Sequence, residues 1–252
     1  MSAVQRFYVE AEACRRDQPR ATLHALALFD RGSGQRLLDI GCYDGSKTAT
    51  IRDYLGATEA WGVDFLGDEL DVARQRGVRV VVCDLNEAQR IDLDDASFEC
   101  VYLGDVVEHV FSPDYLFQES FRLLAPGGYV VLTTPNLASW RNRLGLLLGW
   151  QPLGTEVSTV ARLGNPFMPP GLPSGHLRLF TARALVALAQ LHGFQPEIVS
   201  GYAIGGSGAR GPAGTAFRVV DALVGRFCPA LGDELLVRLR KPAHTATGVA
   251  RR

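Results

Sequence analysis

Acidic side chains lie at or near the ends of three successive apolar segments, an arrangement suited to binding the hydroxyl groups and positive charge of a nucleoside-type ligand. Asp39 lies within Leu-Leu-Asp-Ile-Gly, Asp64 ends Trp-Gly-Val-Asp, and Asp84 follows Val-Val-Val-Cys. If these segments are parallel strands, their carboxyl ends meet at one edge of a sheet, where ligands bind in such folds. Asp64 lies about 20 residues beyond the first segment's turn, the spacing of a carboxylate that holds ribose hydroxyls.

A glycine-containing turn follows the first of these segments. Gly41 and Gly45 lack Cβ atoms, so the chain can bend sharply here and lie close to a bound molecule. We expect Ser46 to cap the next helix, with the helix N–H groups directed at the ligand. Asp39 would repel an anion, so this turn is suited to a cationic or hydroxyl-bearing ligand rather than to a phosphate.

The elements that must position these residues alternate between strands and helices, which predicts an α/β fold with a parallel sheet and helices on both faces. An N-terminal helical segment is expected within residues 1–30. The predicted strands are 36–40, 59–64, 78–85, 98–103 and 129–133, and the predicted helices are 46–55, 68–76 and 114–124.

This alternation breaks after Asn136. Residues 137–149 predict an amphipathic helix, and residues 150–175 are rich in proline and glycine. A connection of this length inside a domain is usually a lid or a substrate loop, or else is disordered. We therefore expect one domain over 1–241 with a lid insertion at 137–178. The remaining expectations are a helix at 181–192, a strand at 197–203, a second insertion at 205–230 with a helix at 215–227, a strand at 234–239 and a disordered tail at 242–252.

Taken together, these motifs resemble those of class I S-adenosylmethionine-dependent methyltransferases. The family's first motif has an acid followed by three glycines at alternate positions; here Asp39, Gly41 and Gly45 match, and Tyr43 replaces the middle glycine. Two further segments resemble the family's fourth and fifth strands with their adjoining loops, namely 97–109 and 123–136. The resemblance implies a Rossmann-like, seven-stranded, mostly parallel sheet whose last strand runs antiparallel beside strand six. It also implies S-adenosylmethionine as the cofactor.

The resemblance assigns cofactor-binding roles residue by residue. Asp39 and the glycine turn would shape the methionine side, Asp64 would hold the ribose, and Asp84 would lie beside the adenine. Phe65 would pack on the adenine or, alternatively, in the core. The full set of implied cofactor-binding residues is Asp39, Gly41, Cys42, Tyr43, Gly45, Asp64, Phe65, Asp84, Leu85 and Gly104.

Two histidines are candidate bases for the acceptor proton. Methyl transfer is an in-line displacement whose rate comes largely from alignment, and a general base helps an alcohol or phenol more than a neutral amine. His109 follows the fourth strand; an unperturbed histidine titrates near ~6.5 and can accept a proton, although His109 could instead only order its loop. His176 lies in Gly-His-Leu-Arg-Leu-Phe-Thr, which resembles the acceptor-lining His-x-x-x-Phe-(Thr/Ser) segment of small-molecule methyltransferases. Its alternative role is to anchor the end of the lid.

The spacing Asp105-x-x-Glu108-His109 resembles the Glu-x-x-Glu-His of ubiquinone-pathway O-methyltransferases, where those side chains hold a divalent metal. A hard cation accepts carboxylate and imidazole ligands and would lower the pKa of an acceptor hydroxyl. Aspartate shortens the first ligand by one methylene, and related methyltransferases carry Glu-His with no metal implied. A divalent metal is thus the lesser expectation beside S-adenosylmethionine.

Composition narrows the class of protein and its partners. The formal net charge of −1 gives no reason to expect a nucleic-acid partner, which usually needs a basic face. The five cysteines include no close pairs, which suits a reducing cytoplasm. Early charged residues argue against a signal peptide, and Pro-Gly-Gly and Thr-Thr-Pro-Asn interrupt the longest uncharged stretch. We expect a cytoplasmic protein without a membrane span.

The function predicted on these grounds is methyl transfer from S-adenosylmethionine to a small-molecule acceptor, with oxygen favoured over nitrogen. A sugar hydroxyl, a phenol and a polyketide-like hydroxyl all fit as acceptors. One alternative is a nicotinamide-dependent oxidoreductase on a similar sheet, although Asp39 and Asp84 favour the methyl donor. Another is a non-catalytic relative of the same fold, suggested by Tyr43.

Residues of the insertion have two possible roles each. Arg141 would clamp an acidic acceptor or lie at a solvated surface. The aromatic residues Trp140, Trp150 and Phe167 would line the acceptor pocket or pack the insertion onto the sheet.

Overall fold

One mixed sheet organises the residues described by the computed structural model, which are 19–32, 34–65, 67–167, 171–203 and 211–243. Its seven strands have the order β3-β2-β1-β4-β5-β7-β6. The strands are β1 (Arg36–Ile40), β2 (Glu59–Asp64), β3 (Arg79–Val82), β4 (Phe98–Gly104), β5 (Leu124–Pro135), β6 (Gln195–Tyr202) and β7 (Glu234–Arg240). The helices are α1 (Pro19–Leu26), α2 (Ser46–Leu55), α3 (Gly67–Gln75), α4 (Pro113–Leu123), α5 (Trp140–Leu147), α6 (Ala182–Leu191) and α7 (Gly211–Phe227).

The core lies on both faces of this sheet because side chains alternate along each strand. On β1, Leu38 joins an apolar cluster that includes Leu116 of α4 and Leu185 of α6. The preceding residue, Leu37, joins a second cluster that includes Ile51 of α2. Helices thus cover both faces, as the alternating strands and helices predicted.

The chain reverses its direction of winding between β1 and β4, which are neighbours in the sheet although β2 and β3 separate them in sequence. β1 pairs in parallel with both β2 and β4, so the carboxyl ends of these strands lie at one edge. This is the position where ligands bind in open α/β sheets. The predicted Rossmann-like, seven-stranded, mostly parallel sheet is confirmed.

The last strand, β7, lies between β5 and β6 and is antiparallel to both, as expected. Some element bounds differ from the predictions. β3 ends at Val82, three residues before the predicted Leu85, and α7 begins at Gly211 rather than at residue 215. The expected helical residues 1–18, residues 205–210 of the second insertion and the tail from residue 244 lie outside the described residues.

Within the described ranges, the helices are too short or too polar to cross a bilayer. Residues 148–167 and 171–179, which belong to the predicted lid insertion, form turns and bends without a helix or strand of their own. Local hydrogen bonds, such as that from Asn165 to the Gln151 carbonyl, order this segment. Long-range ones, such as that from Leu177 N–H to the Glu108 carbonyl, connect it to the loop after β4.

Candidate active site

The turn after β1 has three residues in the left-handed backbone region. Gly41 and Gly45 have φ values of 85° and 70°, and Tyr43, which replaces the family's middle glycine, has a φ of 50°. A Cβ atom on Gly41 would lie 2.9 Å from Val106 Cγ2, and one on Gly45 would lie 2.8 Å from Ala73 Cβ. Close packing against the protein therefore requires both glycines, in addition to the sharp bend.

The cap of α2 is not the one predicted. Gly45 occupies the N-cap position and supplies no side-chain cap, and Ser46 is the first helical residue. The Ser46 N–H donates to Asp44 Oδ1 at 3.0 Å. Asp44 thus accepts from one of the helix N–H groups that were expected to face a ligand.

Asp39 is a buried carboxyl beneath this turn. Thr48 Oγ1, in the first turn of α2, donates to Asp39 Oδ2 at 2.5 Å. Burial raises the pKa of Asp39 to about 7, and the Thr48 hydrogen bond and Lys47 ammonium oppose this rise only in part. The charge of Asp39 therefore changes near neutral pH, and a cation bound nearby would favour its ionised form.

We expect Asp39→Asn to stabilise the ligand-free protein while weakening cofactor binding. The pKa of Asp39 is raised above its ordinary value of 3.8, so its ionised form costs folding free energy, and stability is lost as pH rises through about 7. Asparagine is neutral at every pH, so the melting temperature should rise by several degrees at pH 8 and by less at pH 5. Scanning calorimetry at both pH values measures this. An equal change at both would contradict the assignment.

Asp64 ends β2 with its carboxylate held by backbone. Tyr43 N–H donates to Oδ2 at 2.9 Å and Phe65 N–H donates to Oδ1 at 2.7 Å. The residue is buried to 8% relative exposure, so its two oxygens are fixed at the carboxyl end of the strand. The arrangement can accept two further hydrogen bonds from adjacent hydroxyl groups, as a ribose would offer.

The other predicted cofactor residues have side chains that contact the protein itself, or are glycines packed against it. The Cys42 side chain is buried against β2, where a Cβ on Gly62 would lie 2.5 Å from its sulfur, and burial raises the pKa of its thiol. Leu85 packs into the core, and Asp84 Oδ1 accepts from Asn86 N–H at 2.9 Å in the loop beyond β3. A Cβ at Gly104 would lie 2.4 Å from the Tyr102 ring, so packing alone requires glycine there.

Asp105 lies at the switch point in an ion pair with Lys47 that no sequence motif predicts. Lys47 Nζ donates to Asp105 Oδ2 at 3.1 Å, and Thr133 Oγ1 donates to Asp105 Oδ1 at 2.8 Å. Asp105 raises the pKa of Lys47, so the ammonium stays charged. The backbone of Asp105 has a φ of 59°, a left-handed conformation held in place by these contacts.

Of the three predicted metal ligands, Asp105 contacts Lys47 and Thr133 and does not group with Glu108 and His109. The described residues place Glu108, His109 and His176 together instead, with one ligand-type atom from each within 4.8 Å of the others. Glu108 is fully buried, and its Oε2 accepts from Thr134 Oγ1 at 2.9 Å. Asp105 lies outside this group of ligand-type atoms, and a metal role for the Asp-x-x-Glu-His pattern stays a prediction.

The two candidate bases are neighbours, with ring centroids 4.9 Å apart. His109 Nδ1 lies 3.1 Å from the Gly175 carbonyl oxygen, and His176 Nδ1 lies 2.8 Å from that of Gly154. A carbonyl oxygen only accepts, so each neutral ring carries its proton on Nδ1 and its lone pair on Nε2. His109 Nε2 lies 3.9 Å from Glu108 Oε1. The rings are thus oriented to accept a proton through Nε2.

Glu156 orders the loop that carries His176, and no motif in the sequence marks this role. Its carboxylate accepts from Gly175 N–H at 2.8 Å and His176 N–H at 3.3 Å, and it also accepts from Ser174 N–H. Leu177 N–H donates to the Glu108 carbonyl at 2.8 Å. The predicted role of His176 as an anchor and its predicted role at the site are therefore compatible.

Aromatic rings join the insertion to α7. Phe217 of α7 lies 5.4 Å from Trp140 and 5.7 Å from Phe167, and Phe167 lies 5.3 Å from Trp150, measured between ring centroids. Arg141 does not extend into solvent, and its guanidinium is already paired with carboxylates of the protein. It forms ion pairs with Asp221 and, at 2.9 Å, with Asp233, so its role is to connect α5, α7 and the turn before β7.

A family model described as a methyltransferase domain matches residues 12–198. The chain is 30% identical over 213 residues to a Mycolicibacterium smegmatis protein named "Probable S-adenosylmethionine-dependent methyltransferase", covering 83% of this chain and 72% of the relative. It is 30% identical over 131 residues to the mouse mitochondrial ubiquinone biosynthesis O-methyltransferase, covering 48% of this chain and 34% of that relative.

Among solved structures, an S-adenosylmethionine-dependent methyltransferase from Mesorhizobium loti superposes with a TM-score of 0.57 at 22% identity, over 88% of this chain and 98% of that one. The sheet order and the acid-lined switch point define a class I methyltransferase fold. The chain belongs to the S-adenosylmethionine-dependent methyltransferases.

Proposed function

We propose that this protein transfers the methyl group of S-adenosylmethionine to a hydroxyl group of a small molecule. The observation that carries the proposal is the pair His109 and His176, whose Nε2 lone pairs are oriented by backbone carbonyls near the switch point. The relative that acts in ubiquinone biosynthesis is named an O-methyltransferase, which supports oxygen as the acceptor atom.

Different residues at the carboxyl edge of the sheet would bind different parts of the cofactor. Asp64 would hold the two ribose hydroxyls, and the loop at Asp84 and Leu85 would lie beside the adenine. The turn from Gly41 to Gly45 and the loop at Gly104 would face the methionine part, with Asp39 beneath them. When bound, the cofactor supplies an electrophilic methyl group on a positively charged sulfur.

This chain's residues would align the acceptor and remove its proton. His109 or His176 would accept the hydroxyl proton at Nε2 while Nδ1–H stays hydrogen-bonded to its carbonyl oxygen. Buried Glu108, 3.9 Å from His109 Nε2, would stabilise the resulting imidazolium. General-base assistance of this kind contributes roughly 10²- to 10⁴-fold to a rate, and alignment contributes the rest.

The acceptor would enter between the insertion and α7. The rings of Trp140, Trp150, Phe167 and Phe217 form a connected cluster there, which suits an acceptor with a flat or apolar body. The predicted lid at 137–178 would exclude water from the methyl group when it closes over such an acceptor. A phenol fits this cluster better than a sugar does, because it offers an apolar face as well as a hydroxyl.

The direct test uses calorimetry with S-adenosylmethionine, followed by transfer of a labelled methyl group to panels of phenols, sugars and amines. We expect micromolar binding of the cofactor, labelling of hydroxyl acceptors and release of S-adenosylhomocysteine. Labelling confined to amines would contradict the choice of oxygen. Binding of a nicotinamide dinucleotide without binding of S-adenosylmethionine would instead identify the oxidoreductase alternative.

The non-catalytic alternative has its own test at Tyr43. Glycine adopts its φ of 50° without cost and restores the family's middle glycine. We expect Tyr43→Gly to bind S-adenosylmethionine within about threefold of the wild type, because the backbone N–H that donates to Asp64 is retained. A wild type that binds no cofactor, beside a variant that does, would show that Tyr43 blocks the site.

A further inference from the structure

The ion pair between Lys47 and Asp105 joins two elements that meet at the switch point. Lys47 lies in the first turn of α2, directly after the glycine turn, and Asp105 is the first residue beyond β4. Their side chains are 35% and 22% exposed, so neither is fully buried. The absent Cβ of Gly41 would lie against Val106, which shows how closely the two loops approach each other.

The charges around this pair do not cancel when Asp39 is ionised. Asp105 and Asp39 both raise the pKa of Lys47, so one ammonium interacts electrostatically with two carboxyl groups. With both carboxyls ionised, the three groups carry a net charge of about −1. S-adenosylmethionine carries a sulfonium, an ammonium and a carboxylate, and therefore a net charge of about +1. These three groups and the ligand are therefore opposite in net charge, as in complementary binding partners.

We infer that Lys47 and Asp105 form a clip for the amino-acid end of the cofactor, with Lys47 binding its carboxylate and Asp105 its ammonium. In the ligand-free protein the two side chains neutralise each other at 3.1 Å. Binding exchanges this contact for one ion pair on each side of the ligand. Thr133 keeps the Asp105 carboxylate in place during the exchange through its 2.8 Å hydrogen bond.

This inference rests on the proposed function and assigns residues to one part of its cofactor. It predicts discrimination between nucleosides with and without the amino-acid end. 5′-Methylthioadenosine has the adenine and ribose but lacks that end, and decarboxylated S-adenosylmethionine has the ammonium but lacks the carboxylate. These compounds separate the role of Lys47 from that of Asp105 by binding alone.

The experiment is calorimetry of the full chain with these ligands. We expect Lys47→Met to weaken S-adenosylmethionine and S-adenosylhomocysteine by about 10- to 50-fold, the effect of losing a charge-assisted hydrogen bond. Binding of 5′-methylthioadenosine should change by less than about threefold, and binding of decarboxylated S-adenosylmethionine should not weaken, because that ligand offers Lys47 no carboxylate. Asp105→Asn should weaken every ligand that has the ammonium, including the decarboxylated one, and should leave 5′-methylthioadenosine unchanged.

Control variants distinguish the loss of a specific ligand contact from a general disturbance of the structure. Lys47→Arg should restore most of the affinity, because a guanidinium also binds a carboxylate. Arg74→Met removes one exposed charge from neighbouring α3, where Arg74 pairs with Asp71, and should change no affinity. Thermal melts establish that each variant is folded at the titration temperature.

Three outcomes separate failure of the clip from failure of the proposed function. Equal weakening of 5′-methylthioadenosine and S-adenosylmethionine in Lys47→Met would overturn the clip and leave the cofactor assignment standing. A wild type that shows the predicted binding pattern but labels no acceptor would support the clip and contradict the proposed transfer. A wild type that binds none of these nucleosides would overturn both.

Discussion

Asp64→Ala is expected to raise the dissociation constant for S-adenosylmethionine by roughly 100-fold, which corresponds to about 3 kcal/mol. The wild-type carboxylate is held by the N–H groups of Tyr43 and Phe65 at 2.9 and 2.7 Å. Two ribose hydroxyls donating to it would each form a charge-assisted hydrogen bond worth about 1.5–3 kcal/mol. Their loss, partly replaced by water, accounts for an effect of this size, which calorimetry measures directly.

The control for this variant is Asp68→Ala, which removes an exposed carboxylate in the first turn of neighbouring α3. It should leave cofactor affinity within about twofold, since exposed charges at this distance are screened by salt. Unlike the Lys47 variant, Asp64→Ala should weaken 5′-methylthioadenosine as strongly as S-adenosylmethionine, because both carry the ribose. Unchanged binding of both ligands in Asp64→Ala would show that Asp64 does not contact the ribose.

The second large effect is expected at the histidine pair. His109→Ala and His176→Ala should each lower kcat by roughly 10²- to 10³-fold, the contribution of general-base assistance and ring orientation. The KM for S-adenosylmethionine should change little, because neither ring is assigned to the cofactor. The double variant should be little worse than the more impaired single variant, since residues that act as a unit are not additive.

A pH profile assigns the base between the two rings. In the wild type, kcat/KM should rise with pH as the free imidazole forms, and only the variant that lacks the base should lose this rise. His192→Gln serves as the control, because His192 contacts Asp114 at 2.8 Å near the end of α6, away from the pair. Activity retained in full by both alanine variants would mean that alignment alone explains the rate.

Treatment with a chelator provides a separate check on the metal alternative. Because Lys47 and Thr133 occupy the carboxylate of Asp105, we expect turnover to be unchanged by EDTA and by added Mg²⁺. Turnover that collapses with EDTA and returns with a divalent ion would reinstate a metal role at Glu108, His109 and His176. Measurement of methyl transfer before and after dialysis decides between these outcomes.

The sequence determined the elements whose signals are local. The bounds of β1 and α2 match the predictions because an apolar run ends in a glycine turn and Gly56 stops the helix with a φ of 69°. Asp64 was predicted at the end of β2 because a strand bounded by polar residues needs no distant partner to be recognised. The antiparallel final strand was implied by family resemblance, since its pairing with β5 and β6 leaves no local signal.

The tertiary structure alone decided which of these residues act together. Lys47 and Asp105 are 58 positions apart, and His109 contacts Gly175 across 66. Such pairings depend on the order of strands and on the path of the insertion, which local composition does not encode. For the same reason Arg141, which resembled a surface or ligand-binding residue, proved to be bound by Asp221 and Asp233. The amino-acid types determined the available chemistry, and long-range packing determined which charges are neutralised and which can meet a ligand.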